Sequence, residues 1–286
     1  MNLSDFHSRL RHLVDEALQE DVGNGDHSTL CCIPGDVKSK AVLKIKDDGI
    51  LAGVDVAEAI FKYRKPDCLF QKHKSDGEEM HAGEVAFEVE TQVHTILKLE
   101  RLVLNCMQRM SGIATLTKQY TSKLEGFTTK LLDTRKTTPN FRLLEKEAVR
   151  IGGGTNHRFG LFDMIMLKDN HIDYCGGLEE AINRAHDYVV RYQPALKIEI
   201  ETRSLEDVQT VVRMGTGKVF RIMLDNFSPE KTSEALQLIN KKFETESSGG
   251  INLDNIQDYA ATGVDYVSVG SVIHQAQSVD LSLKAK

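Results

Sequence analysis

The sequence predicts two α/β domains in tandem, a small α+β unit followed by a parallel α/β barrel, and three observations point to them. The chain has 286 residues, enough for two domains at about 100 to 200 residues each. Its first 110 residues mix period-two and helical apolar patterns. From residue 128 onward, short apolar runs each end in a polar residue and lead into helical sequence, as βα units require.

In the first part, Phe6, Leu10, Leu13, Val14, Ala17 and Leu18 recur at helical spacing, with Ser4 as a candidate N-cap and Asp5 at the positive end of the helix dipole. These residues predict a surface helix over 4–20. Ala41, Leu43 and Ile45 alternate with Lys40, Val42, Lys44 and Lys46, the period of a half-buried strand, and Val85, Phe87 and Val89 repeat it. Helices fit residues 54–64 and 95–110. The hairpin-like stretch GEEMHAGEVAFEVE (77–90) is similar to the swinging arms that carry biotin or lipoate, but it has no modifiable lysine beside its turn and is read as structural.

In the second part the runs are KLLD (130–133), MIML (164–167), LKIEI (196–200), FRIML (220–224), a weak ETES (244–247) and YVSVG (266–270). Their polar ends are Asp133 with Arg135 and Lys136, then Lys168, Glu201, Asp225, Ser248 and Gly270, at intervals of 22 to 35 residues, the length of a βα repeat. In parallel barrels the carboxyl ends of the strands converge on one rim, where the active site lies.

Composition limits what that rim can serve. A net charge of −6 argues against a general nucleic-acid binder, and no apolar run approaches the ~18 residues of a membrane span. The N-terminus has no signal-peptide core, so the chain reads as cytoplasmic. Five cysteines with no CxxC pair suggest neither a disulfide framework nor a zinc site. Basic residues nevertheless concentrate in Arg135, Lys136, Arg142, Lys146, Arg150, Arg158 and Lys168, which suggests a small anionic ligand. Arg142, Lys146 and Arg150 recur at helical spacing and read as surface charge.

Arginine forks and lysine point charges can neutralise carboxylates or phosphates. Glu201 and Asp225 suit Mg²⁺ shared with substrate phosphate oxygens. Small residues in SSGG (247–250) and SVGS (268–271) follow the last strands, where barrels often bind phosphate. Gly152–Gly154 open neither a Walker loop nor a GxGxxG turn, so nucleotide triphosphate use is not indicated. His157, His171 and His274 read equally as rim or satisfied core histidines, and none is assigned as a general base.

The run DTRKTTPNFRLLEKEAVRIGGGTNHRFGLFDMIMLKDNHI (133–172) closely resembles the central segment of the quinolinate phosphoribosyltransferase family. The likeness continues through EDVGNGDHST (20–29), ERLVLNCMQRMSGIAT (100–115), KIEIET (197–202), IMLDN (222–226), SSGGI (247–251) and GVDYVSVGSVIH (263–274). It implies an N-terminal α/β sandwich domain over 1–112, joined by a returning segment 275–286, and a seven-stranded-type parallel barrel over 113–274. Val279, Leu281 and Leu283 alternate as such a returning strand would.

The resemblance further implies transfer of phosphoribose from phosphoribosyl pyrophosphate to quinolinate with loss of CO₂, giving nicotinate mononucleotide for NAD synthesis. It implies catalytic roles for Lys136, Lys168, Glu201 and Asp225, and Mg²⁺ at the two carboxylates. Substrate contacts fall to Arg101, Thr134, Arg135, Lys136, His157, Arg158, Lys168, Glu201, Asp225, Ser248, Gly249, Gly250, Gly270, Ser271 and His274. Arg101 matches the arginine that the family takes from a neighbouring subunit, which implies a homo-oligomer, as a dimer or hexamer. Asn140 and Ile273 depart from residues common in the family, without removing a charge. Three other readings remain open at this point: a sister enzyme with another acceptor, a non-catalytic homologue, and a lyase using Lys168 as a Schiff base.

Overall fold

The computed structural model describes residues 3–286, so Met1 and Asn2 of the N-terminal expectation lie outside the described residues. The chain divides into two compact units. One comprises Met1–Lys118, Thr137–Gly153 and Val272–Lys286, the other Gln119–Lys136 and Gly154–Ser271.

In chain order the first elements are α1 (Leu3–Val22), α2 (His27–Cys32), β1 (Lys38–Ile45), β2 (Gly49–Ile50), α3 (Val54–Arg64), β3 (Leu69–Lys72), β4 (Glu79–Met80), β5 (Val85–Gln92) and α4 (Val93–Lys123). There follow β6 (Lys130–Leu132), α5 (Arg142–Ile151), β7 (Ile165–Leu167), α6 (Asp169–Cys175), α7 (Leu178–Tyr192), β8 (Ile198–Thr202) and α8 (Leu205–Met214). The last are β9 (Arg221–Asp225), α9 (Pro229–Ile239), β10 (Glu244–Ser248), α10 (Ile256–Ala261), β11 (Tyr266–Ser268), α11 (Ser271–His274) and β12 (Leu281–Ala285).

In the first unit an antiparallel sheet runs in the order β12-β1-β5-β3. The alternation expected at 40–46 is met by β1, which buries Ala41, Leu43 and Ile45. The returning strand is β12, paired along β1 with Leu43 opposite Leu283. Phe87 of β5 stacks on Phe70 at 4.5 Å between centroids and meets Phe61 of α3 edge-on at 6.5 Å, so aromatic packing ties sheet to helix. The 77–90 stretch does turn at Gly83 (φ +95°), but its arms take different partners, β4 pairing β2 and β5 pairing β1 and β3.

The α4 helix runs well past the expected 95–110, because buried positions continue at helical spacing through Ile113, Ala114, Thr117 and Tyr120. Gly112 lies where a Cβ would collide with the Gln277 carbonyl, so this mid-helix glycine admits a crossing backbone. Arg109 closes the crossing by donating to the carbonyls of Ala276 (2.6 Å) and Ile273 (2.7 Å) and to the fully buried Glu145 (2.9 Å). Of the three basic residues read as surface charge, Arg150 is exposed and paired with Glu147, and Arg142 is half-buried and bonded to Thr137. Lys146 is the correction: it is 2% exposed, on the face that α5 buries with Leu143 and Leu144.

The second unit is built on six parallel strands in the order β6-β11-β10-β9-β8-β7. All six expected strands are present. A parallel bridge from Leu132 to Thr155 adds a seventh position beside β6. One face of the sheet, with Ile198, Ile200, Ile222 and Leu224, packs on Ile182, Val208, Val211, Ala235 and Ile239 of α7, α8 and α9.

Candidate active site

Side chains alternate between the faces of a strand, so the face turned away from those helices carries Glu199 and Glu201 on β8, Arg221 and Asp225 on β9, Glu246 and Ser248 on β10, and Ser268 on β11. This face concentrates the charged residues, with Met166 and Met223 among them, and its charges fall into two layers.

The deeper layer is a buried charge network. Arg221 Nη1 lies 3.1 Å from Glu246 and 3.7 Å from Glu199, Arg221 Nη2 lies 2.9 Å from Glu244, and the guanidinium stands 4.3 Å from the Tyr266 ring centroid. His157, just beyond the Thr155 bridge, brings its Nε2 within 3.0 Å of Glu199 and 3.3 Å of Glu246. That bridge adds to the β6 edge, while Glu199 sits next to the opposite edge strand. Contact between them requires the sheet to curl on itself, with this face inside.

The network sets its own protonation. Burial works against a charged His157, but the two carboxylates outweigh it and hold the ring at about 9. Burial and the neighbouring Glu246 push Glu199 up to about 7. Burial pushes Glu246 the same way, yet His157, Ser268 and Arg221 more than reverse it and leave its carboxyl below the usual value. The His157, Glu199 and Glu246 ligand atoms all lie within 4.8 Å of one another, so among the described residues this group could hold a metal ion. The donor set suits Mg²⁺ poorly, since imidazole is a softer ligand than that ion selects and Arg221 already neutralises the carboxylates.

The outer layer lies at the carboxyl ends of the strands. Lys168 Nζ, after β7, pairs with Glu201 of β8 at 3.4 Å, the charge complementarity expected at the rim. Asp225 accepts from Asn226 Nδ2 (2.7 Å), and the Asn226 N–H donates to the Ser248 carbonyl (2.8 Å). Gly249 (φ +94°) follows, where a Cβ would collide with Asn226 Oδ1. The β9 and β10 ends therefore interlock through a glycine that no other residue can replace without moving them. Gly250 offers its carbonyl to Asn255 Nδ2 (3.1 Å), and Gly270 is half-buried, next to Ser271, whose hydroxyl is 3.1 Å from that of Tyr120.

After β6, Thr134 Oγ1 accepts from the Lys136 N–H (3.0 Å), and the Lys136 side chain is exposed. Half-buried Arg158 has its pKa lowered by burial and by the Arg135 guanidinium nearby, against the opposing pull of Glu199 and Asp163. Two like charges close together in a partly desolvated mouth favour an anionic ligand. Thr134, Arg135, Lys136, His157, Arg158, Lys168, Glu201, Asp225, Ser248, Gly249, Gly250, Gly270 and Ser271 thus all belong to the parallel-sheet unit. Arg101 on α4 and His274 on α11 are exposed and belong to the other unit.

Glu199, Arg221 and Glu246 were not among the expected site residues. The signal for them was present in KIEIET, RIMLD and ETESS, where charged residues alternate with apolar or small ones. Attention to the apolar runs and their last residues passes over it.

A parallel α/β sheet that gathers arginines, lysines and carboxylates at its strand ends defines an enzyme class acting on small polyanions. Residues 26–111 match the family model for the quinolinate phosphoribosyl transferase N-terminal domain, and residues 113–284 match that for its C-terminal domain. The chain is 41% identical to the chloroplastic nicotinate-nucleotide pyrophosphorylase (carboxylating) of Oryza sativa subsp. japonica, over 96% of this chain and 77% of that protein. It is 39% identical to the probable enzyme of the same name from Bacillus subtilis (strain 168), over 97% and 93%. The crystal structure of NadC from Streptococcus pyogenes superposes with a TM-score of 0.90 at 38% identity, over 100% of this chain and 99% of that one. The chain belongs to the quinolinate phosphoribosyltransferase family.

Proposed function

We propose that this protein transfers phosphoribose from phosphoribosyl pyrophosphate to quinolinate and decarboxylates the product to nicotinate mononucleotide, releasing pyrophosphate and CO₂. The observation that carries the reading is the half-buried pair Arg135 and Arg158, in the same parallel-sheet unit as the Lys168–Glu201 pair and Asp225 at the strand ends. A dicarboxylate satisfies the two guanidiniums, and its two-point recognition uses their planar forks.

Arg135, Arg158, Lys136 and Lys168 hold the acceptor's carboxylates, with Thr134 shaping the turn between them. The pyridine nitrogen then attacks C1 of the donor as the C1–pyrophosphate bond breaks. Glu201 and Asp225 lie on one face at the ends of adjacent strands, where they stabilise the positive charge that develops on the ribose. Lys136 and Lys168 stabilise the departing charge. The quaternised ring becomes an electron sink, so the bond from C2 to its carboxylate breaks, CO₂ leaves, and a proton replaces it. Ser248, Gly249, Gly250, Gly270 and Ser271 take the 5′-phosphate, and His274 completes the substrate set.

Glu201 and Asp225 also fit Mg²⁺ better than the deeper cluster does, being two carboxylate ligands at the strand ends with no imidazole or arginine between them, and half-buried Asp225 leaves room for waters and phosphate oxygens. When bound there, Mg²⁺ supplies charge neutralisation for pyrophosphate departure. Exposed Arg101 reaches the site of a neighbouring copy in a homo-oligomer, dimer or hexamer. Five free thiols, including Cys31 and Cys32 with sulfurs 3.3 Å apart, suit a reducing compartment such as the cytoplasm. No helix among the described residues is long and apolar enough to cross a membrane.

The test is formation of nicotinate mononucleotide and CO₂ from quinolinate and phosphoribosyl pyrophosphate, with and without Mg²⁺, using nicotinate as the comparison acceptor. Magnesium-dependent product from quinolinate alone is expected. Product from nicotinate instead would move the reading to a sister activity.

A further inference from the structure

The deeper layer has no task in the chemistry above, yet it buries two glutamates, an arginine and a histidine. Family likeness places His157 among the acceptor ligands, but its surroundings leave the ring nothing to offer. Its side chain is 5% exposed, and Nε2 faces the carboxylates of Glu199 and Glu246 at 3.0 and 3.3 Å. Nδ1 lies 2.6 Å from the backbone nitrogen of the next residue, Arg158, which closes that side of the ring. Both ring nitrogens are therefore engaged inside the protein.

The main chain around the ring is fixed as well. The His157 N–H donates to Asp133 Oδ1 (2.8 Å) on a carboxylate with no solvent exposure, and Thr155 is bonded to β6 through the Leu131 carbonyl (2.8 Å). Beyond Arg158, Asp163 caps the turn by accepting from the N–H groups of Phe159 (2.6 Å) and Gly160 (2.9 Å), and Arg158 Nη1 donates to the Met164 carbonyl (3.2 Å). Arg158 thus leaves the chain from a residue whose backbone and ring are both held.

We propose that Glu199 and Glu246 are positioning residues: they hold His157 from inside the barrel, and through it they orient Arg158 for the acceptor, while His157 itself touches no substrate. This rests on the acceptor-binding role given to Arg158. Losing either carboxylate frees the ring, the turn that carries Arg158 loses its anchor, and the guanidinium samples other directions. A bound group misplaced by about 1 Å is costly to an oriented reaction. The loss falls on acceptor binding, because donor contacts come from other strands.

The experiment compares Glu246→Gln, His157→Asn, their double variant, and Thr245→Val as a control. Thr245 is on the opposite face of the same strand and bonds Asp265 at 2.6 Å, so its variant weakens β10 without touching His157. Steady-state kinetics with each substrate varied, together with thermal melts, give the readout. Both single variants should raise the quinolinate KM about tenfold, with kcat and the KM for phosphoribosyl pyrophosphate within about twofold. The double variant should be no worse than the worse single one, and Thr245→Val should melt earlier with its KM unchanged. If Glu246→Gln only melts earlier, the network is structural and the proposal fails. If His157→Asn exceeds Glu246→Gln by a further tenfold and the two effects multiply, the ring binds acceptor directly and the proposal also fails. Quinolinate turnover by the wild type tests the functional reading separately from these ratios.

Discussion

Glu199 and Glu201 stand two residues apart on the same face of one strand, and their surroundings differ completely. Glu199 has no solvent exposure among Glu246, Arg221 and His157, whereas Glu201, 8% exposed, lies near the end of its strand and pairs with a lysine whose side chain is 48% exposed. The same contrast repeats on the next strand between Arg221 and Asp225. Depth along the barrel, rather than residue type, decides whether a charge is spent on holding the protein together or is left for a ligand. Inner charges are neutralised by one another. At the rim Glu201 is still buried, but Lys168 and Asp225 reach solvent, so its partner can change.

The sharpest way to break this comparison is to remove a charge from each layer. Arg221→Met keeps the side-chain volume but leaves Glu199 and Glu246 without their guanidinium in a dry interior. Breaking a buried pair in this way costs about 3–5 kcal/mol. A urea titration should show that loss, and a change below about 1 kcal/mol would mean that the inner layer is not the neutralised network described. Asp225→Asn, at the rim, should instead leave stability within about 0.5 kcal/mol. Its kcat should fall about 100- to 1,000-fold, the scale for losing one electrostatic contact to a transition state. A destabilised Asp225→Asn with normal kcat would reverse the two layers.

The rim was readable in the sequence and the interior was not, for a physical reason. Lys168, Glu201 and Asp225 each end an apolar run, so the break in hydrophobicity marks them. Glu199, Arg221 and Glu246 lie within their runs, and expecting a parallel strand to be apolar on both faces hides them. Lys146, buried where surface charge is expected, follows the same principle, since helical spacing of basic residues says which face they share but not whether it is covered. The six strands, the returning strand, α1, α3 and the first part of α4 were legible from periodicity, whereas the short α2 was not. The two-residue strands β2 and β4 are too short to show any period, and β3 shows only one apolar pair. His157 shows a limit of resemblance: likeness names a residue that belongs at the site, while only the ring's partners indicate what it does there.

The smallest effect to seek is the pH dependence that the inner layer imposes on stability. His157 is held at about 9 in the folded protein against an ordinary 6.5, and Glu199 at about 7 against 4.5. Both values are raised, so the folded state binds protons more tightly than the unfolded chain does. Each contribution is fully present below the unfolded value and is lost as pH rises through the folded one. For Glu199 that window runs from 4.5 to about 7, and for His157 from 6.5 to about 9. Melting temperature should therefore fall between about pH 7 and pH 9 more steeply in the wild type than in His157→Asn, which lacks the upper window. Thr245→Val melts earlier at every pH but should keep the wild-type slope, because it removes no proton-binding group. Subtracting the variant's curve from that of the wild type isolates the histidine from surface groups that titrate alike in both. Parallel curves for wild type and His157→Asn would mean that the ring carries no extra proton, leaving Arg221 as the only cation between Glu199 and Glu246.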